Sequence, residues 1–221
     1  MKQMMICGVD EAGRGPVLGP MVVAAVMVDD DSELRMMNVR DSKKLTPSSR
    51  ERMAVKIREI ASIEIAVIPA EEIDEKRGRI SLNEFEACVF ASLIDRLSPQ
   101  EAYVDAADVD VNRFRFWIKK RLSCNPQITC CHRADDKYPV VSAASIIAKT
   151  VRDQFIVEIQ REMGVPIGSG YASDPTTILF LESWLREKGD FPPHTRRSWK
   201  TAKRAETLAK NSRLTDWSAD K

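Results

Sequence analysis

Two apolar runs open the chain. Residues 4–9 (MMICGV) and 21–28 (MVVAAVMV) carry no polar interruption, which is the pattern of buried strands, and a glycine-rich turn separates them. Residues 63–68 (IEIAVI) alternate and predict a third strand. Before it, Thr46-Pro47 is a helix start, and Met53, Ile57 and Ile60 fall on one stripe over 47–61. Ser81 and Glu84 form a capping box, followed by the stripe Leu82, Phe85, Val89, Leu93 and Leu97.

Tyr103-Val104 leads into Asp105 as a short strand. Asp110 caps a helix carrying Phe114, Trp117, Ile118 and Leu122, and residues 127–132 make a fifth strand. Pro139 opens a long helix with Val140, Ala144, Ile147, Val151, Phe155 and Ile159 on its stripe, closed by Gly164. Residues 165–171 have the composition of a linker. Asp174-Pro175 starts another helix that ends at Gly189, and residues 200–210 are helical in pattern. The order predicts an α/β protein: a mixed five-stranded sheet flanked by helices over residues 1–165, a small helical extension over 166–210, and a flexible tail over 211–221.

Composition adds compartment and partner. The 221 residues are 43% hydrophobic and 30% charged, which is ordinary globular composition. Cys7, Cys88, Cys124, Cys130 and Cys131 are odd in number, scattered, and contain no C-x-x-C pair. Reduced thiols and a cytoplasmic protein are expected. The apolar runs are too short to span a bilayer, and the N-terminus has no signal-peptide pattern. The 34 basic residues nearly balance 33 acidic ones, yet from Arg186 to Arg213 nine basic residues face three acids. That basic extension predicts a surface that tracks phosphates.

Acidic residues at three strand ends share one context. Asp10 and Glu11 follow the first apolar run, Asp105 ends the fourth strand, and Asp135 follows the fifth. Strand ends from separate parts of a chain can converge on one crevice, where carboxylates together call for hard divalent cations. By spacing alone, solvated loop acids and helix caps remain alternatives. Adjacent residues on a regular strand point to opposite faces, so Asp10 and Glu11 reach one site only if the strand breaks there; Gly13 and Gly15 suggest that break. Leu18 spoils the dinucleotide fingerprint G-x-G-x-x-G, and two histidines, His132 and His194, give no basis for a histidine-based hydrolase.

Six segments then carry a family likeness: GVDEAGRGPVLGP (8–20), DSKKL (41–45), YVDAADV (103–109), RADDKYPVVSAASIIAK (133–149), GSGYASDP (168–175) and RRSWKT (196–201). In this order they closely resemble ribonuclease HII of the archaeal, single-subunit type. The resemblance implies a ribonuclease H-like fold. It also implies an endoribonuclease that hydrolyses the RNA strand of RNA–DNA hybrids and cuts 5′ of ribonucleotides embedded in duplex DNA. Two Mg²⁺ or Mn²⁺ ions would serve catalysis, leaving 3′-hydroxyl and 5′-phosphate ends.

Position by position, the resemblance makes Asp10, Glu11, Asp105 and Asp135 the catalytic, metal-binding acids. Gly13, Arg14 and Gly15 become the loop that reads the 2′-hydroxyl, and Tyr171 the ring at the RNA–DNA junction. Lys43, Lys149 and Arg152 become further substrate contacts. Asp136, beside Asp135, competes for the ligand role. Asn211, Leu214 and Trp217 loosely echo a sliding-clamp-binding pattern, although Asn replaces Gln and Ser218 stands where a second aromatic belongs. A monomer without membrane attachment is expected. A non-catalytic hybrid-binding protein and a metal-dependent nuclease for DNA junctions are the rival classes.

Overall fold

The computed structural model describes residues 4–39 and 45–219, the side chains of 212–219 excepted. The elements run β1 (Ile6–Ala12), β2 (Met21–Val28), α1 (Ser32–Met36), α2 (Pro47–Ile60), β3 (Ser62–Ile68), α3 (Ala70–Arg77) and α4 (Leu82–Leu97), then β4 (Glu101–Asp105), α5 (Val111–Arg121), β5 (Gln127–Cys131), α6 (Pro139–Met163), α7 (Pro175–Lys188) and α8 (Lys200–Ala219). Five strands form one sheet in the order β3-β2-β1-β4-β5. β1 is antiparallel to β2 and parallel to β4, and β4 is parallel to β5. This is the mixed α/β sheet expected from the pattern.

Local chemistry sets most boundaries. Thr46 accepts from the Ser49 amide with Pro47 at the first helical position, Ser81 caps α4 through the Glu84 amide, and Asp110 caps α5. Gly189, in the left-handed conformation, ends α7. The short α1 and α3 escaped the sequence reading. α3 (AEEIDEKR) buries only Ala70 and Ile73, too few positions to write a periodic stripe. β1 also runs three residues past its apolar stretch, because Asp10, Glu11 and Ala12 keep their ladder partners Ala24, Val23 and Val22 on β2. Pairing, not hydropathy, carries the strand to Ala12.

The chain forms two compact units: Met1–Ala12, Val22–Val67 and Ile80–Arg152 in one, and Gly13–Met21, Ile68–Arg79 and Asp153–Lys221 in the other. Composition can mark only contiguous stretches, whereas the turn after β1 is hydrogen-bonded to residues near the C-terminus: the Val17 amide donates to the Gly170 carbonyl and the Gly19 amide to that of His194. α8 also continues as helix to Ala219, past residue 210, with neither Gly nor Pro to stop propagation.

In the first unit, Val22, Ala24 and Val26 pack with Ala54 and Ile57 of α2 and with Val140, Ala144 and Ile147 of α6. In the second, Val17 and Leu18 join Ile156, Ile159, Phe180, Leu181 and the alanine stripe Ala202, Ala205 and Ala209 of α8. Trp184 packs against this core. Among the described residues, no helix is long and apolar enough to cross a membrane.

Candidate active site

Asp10 on β1, Asp105 at the end of β4 and Asp135 after β5 come together. One carboxylate oxygen from each lies within 4.8 Å of those of the other two. β1 and β4 are parallel neighbours, as are β4 and β5, so their C-terminal ends lie side by side. Asp135 sits in a single 3-10 turn, Ala134–Asp136, between β5 and α6. That turn starts at Arg133, a non-glycine residue with φ of 55°, and it aims the Arg133, Ala134 and Asp135 amides at the Asp105 carboxylate. α6 holds the group from one side: Ser142 donates to the Asp135 carbonyl, and Ser145 donates to the Asp10 carboxylate.

The electrostatics are those of crowded, buried acids. Burial pushes the Asp10 carboxyl up to about 7. The Asp105 and Asp135 charges add to the rise, against hydrogen bonds from Ser145 and the Glu11 amide. Burial and then the Asp135 charge raise Asp105 as well, while the three backbone amides oppose the shift. A cation between these oxygens removes the repulsion. The donor set is all carboxylate, with no thiolate or imidazole in the cluster, and it fits a hard divalent ion such as Mg²⁺ or Mn²⁺.

Glu11 stands outside this trio. β1 does not break at residues 10 and 11: its ladder with β2 runs on through Glu11 to Ala12, and the backbone first turns to positive φ at Gly13. The neighbour of Asp135 is also accounted for: Asp136 accepts from Arg133 Nε at 2.7 Å and pairs with that guanidinium.

The glycine turn is built within the second unit. Gly13 has φ of +78°, in the region that glycine alone enters freely. Arg196 is fully buried and donates to three carbonyls of this turn: Nη2 to Gly13 at 2.5 Å, Nη1 to Arg14 at 2.8 Å, and Nε and Nη2 to Gly19 at 3.1 and 3.0 Å. Trp199 Nε1 donates to the Gly15 carbonyl at 3.1 Å. A methyl group at residue 15 would lie 3.8 Å from Tyr171 Cε1, so the Tyr171 ring borders Gly15. Tyr171 itself follows a tight turn in which Ser169 donates to Asp174 and Gly170 to Thr177.

The remaining expected contacts separate. Lys149 is half-buried on α6, four residues after Ser145 and therefore on the same helical face. Arg152 is 1% exposed, so its side chain lies inside the fold. Lys43 falls outside the described residues. In the basic segment, Arg196 is likewise internal, while Lys200, Lys203 and Arg204 form an exposed face of α8 opposite its alanine stripe. Of the sliding-clamp pattern, Leu214 and Trp217 fall among the side chains that are not described.

Sequence reading missed Ser142, Ser145, Arg196 and Trp199. The serines were visible as a same-face set with Lys149 in VVSAASIIAK. Arg196 had no such signal, because a basic residue in a basic stretch reads as exposed.

The chain is similar to known proteins over most of its length. The family model described as Ribonuclease HII matches residues 7–202. Ribonuclease HII of Thermococcus kodakarensis is 48% identical over 206 residues, covering 91% of this chain and 89% of that protein. The crystal structure of ribonuclease H2 from Pyrococcus horikoshii superposes with a TM-score of 0.88 at 43% identity, covering 94% of this chain and 99% of that one. The RNase HII of a PCNA:RNase HII complex from Archaeoglobus fulgidus gives a TM-score of 0.84 at 41% identity, covering 89% and 96%.

Proposed function

The chain belongs to the ribonuclease HII family, and on that premise we propose that it cuts 5′ of ribonucleotides embedded in duplex DNA as well as within RNA–DNA hybrids. Membership makes it a metal-dependent endonuclease of the ribonuclease H class that acts on RNA–DNA duplexes. The observation that carries the reading is the convergence of Asp10, Asp105 and Asp135 at neighbouring strand ends.

Asp10, Asp105 and Asp135 would hold divalent ions, with Glu11 as the fourth acid. When bound, two such ions supply a water of lowered pKa for attack at phosphorus and charge to stabilise the leaving 3′ oxygen, giving 3′-hydroxyl and 5′-phosphate ends. The chain's own groups prepare this. Asp10 gives up its proton on loading, and Ser145 and the Glu11 amide then orient the carboxylate that remains. The amides of residues 133–135 hold Asp105 in the same way. Backbone groups of the Gly13-Arg14-Gly15 turn hydrogen-bond the ribose 2′-hydroxyl, the group that separates RNA from DNA. Tyr171 stacks on the sugar at the junction, and Lys149 with the exposed α8 face (Lys200, Lys203 and Arg204) meets phosphates.

Sliding-clamp contact through the tail is the partner reading. Its support is that a relative has been solved with PCNA. The test of function is one duplex assay with Mg²⁺ or Mn²⁺ on DNA carrying a single ribonucleotide. Cleavage 5′ of that residue, lost in Asp10→Asn, is expected. Equal cutting of the all-DNA duplex would overturn the proposal.

A further inference from the structure

We propose that Arg196, assisted by Trp199, is the positioning residue that turns the glycine turn into a reader of ribose. The inference rests on the proposed role of that turn and names what gives it its shape.

The guanidinium is buried with no exposed surface, an expensive place for a charge unless it is fully hydrogen-bonded. Four of its N–H contacts go to the carbonyls of Gly13, Arg14 and Gly19, all on one short stretch. Trp199 takes the Gly15 carbonyl, and its ring lies under two guanidinium groups, Arg77 at 4.4 Å and Arg196 at 5.0 Å. The backbone of the same segment is stitched to the turn as well: the Arg196 amide donates to the Val17 carbonyl at 2.8 Å.

Peptide geometry converts these contacts into a recognition surface. Every described peptide is trans, so each carbonyl points opposite to the N–H of the next residue. The Gly13 carbonyl is paired in this way with the Arg14 amide, and the Arg14 carbonyl with the Gly15 amide. Drawing both carbonyls onto Arg196 therefore turns both amides away from it, side by side. Successive amides so arranged form a concave donor site. The charge behind the carbonyls also polarises each peptide, which strengthens its N–H as a donor to a hydroxyl or phosphate oxygen. Gly15 and Gly19 are followed by Pro16 and Pro20, which have no N–H to turn. The donor site is thus confined to Arg14 and Gly15.

A lysine at position 196 keeps the charge but cannot span three carbonyls from one nitrogen. The readout is preference: the affinity for a duplex with one ribonucleotide divided by that for the same all-DNA duplex, measured in EDTA so that nothing is cut. Arg196→Lys is expected to bring this ratio close to one while all-DNA affinity stays within about twofold, and Trp199→Phe to lower it part of the way. A purely structural role would weaken both duplexes together and leave the ratio unchanged, which would overturn the proposal. If Arg196→Lys does not fold, as judged by its melting transition, Trp199→Phe decides by the same ratio. Gly15→Ala is run beside them. Loss of preference there with retention in Arg196→Lys refutes the positioning role alone. Retention in Gly15→Ala refutes the turn as reader.

Discussion

Gly8 on β1 meets the backbone of Val140 on α6 so closely that a methyl group at residue 8 would lie 2.3 Å from the Val140 carbonyl carbon. β1 is the central strand, and Asp10 is two residues further along on the face that α6 covers. The contact therefore sets the depth at which α6 brings Ser145 to the Asp10 carboxylate. Gly8→Ala has to push a helix backbone away, and overpacking of this kind costs about 1–3 kcal/mol. Denaturant unfolding is expected to show that loss, with a fall in cleavage per folded molecule. Unchanged stability would mean that α6 moves aside freely.

Asp10→Asn removes a charge that burial and two neighbouring acids destabilise. Cleavage is expected to fall by about 10²-fold or more, while the metal-free protein becomes more stable than wild type. Mg²⁺ should raise the melting temperature of wild type and raise that of the variant much less. Glu11→Gln is the contrasting case. Glu11 stands outside the trio, so its neutralisation should leave metal-free stability near wild type. A melting series with EDTA and with Mg²⁺ checks all three proteins, and equal responses would contradict the geometry.

The same carboxyl dictates a pH dependence. Folded and metal-free, Asp10 keeps its proton up to about pH 7; unfolded, it loses it near about pH 4. Between those values the folded state holds more protons, so metal-free stability falls as pH rises, by at most about 1.4 kcal/mol per pH unit for one proton. Below about pH 4 the group makes no difference, and above about pH 7 the deficit is constant. Subtracting the Asp10→Asn curve from wild type in EDTA should isolate this slope. Because ions displace the proton, cation affinity should climb over the same interval.

How far the sequence reveals these features follows from which interactions are local. Caps at Thr46, Ser81 and Asp110 and the stop at Gly189 are written in adjacent residues, and so were legible. Asp10, Asp105 and Asp135 were legible as candidates because each ends a strand pattern. Their meeting depends on strand order, which no local pattern encodes. The burial of Arg196 was hidden because an arginine reads as exposed unless something marks its burial, and its partners lie far away in sequence. Arg196 is more than 170 residues from the carbonyls it holds. The regular course of β1 through Glu11 was hidden in the same way, since the pairing that sustains it belongs to β2.

Gly15 offers a cleaner probe of the turn than Gly13. Gly13 sits at φ +78°, where any side chain adds strain of about 1–2 kcal/mol. A methyl group at Gly15 meets only the Tyr171 ring, at an ordinary 3.8 Å. Gly15→Ala should therefore melt near wild type yet lose about 10²-fold in cleavage of a one-ribonucleotide duplex, because the methyl keeps the sugar from the amides. Wild-type cleavage by Gly15→Ala would show that the sugar approaches elsewhere.

The motif YVDAADVD holds three acids with three different duties, and Asp108 provides the last test. Asp105 faces the other carboxylates and Asp110 caps α5, whereas Asp108, 1% exposed, accepts from Arg113 at 2.6 and 3.0 Å and from the Asp110 amide at 2.8 Å. The Arg113 hydrogen bond, with help from Asn83 and that amide, holds its carboxyl down at about 2. A depressed carboxyl stabilises the fold above about pH 4 and loses that contribution as pH falls toward about 2. Asp108→Ala strands these donors and should cost about 2–3 kcal/mol at neutral pH. Asp108→Asn should flatten the acid limb of the stability curve. Cleavage per folded molecule should change far less than in Asp105→Asn, since Asp108 bears on the fold and Asp105 on the chemistry. An acid limb that stays as steep in Asp108→Asn as in wild type would assign the acid sensitivity to another carboxylate.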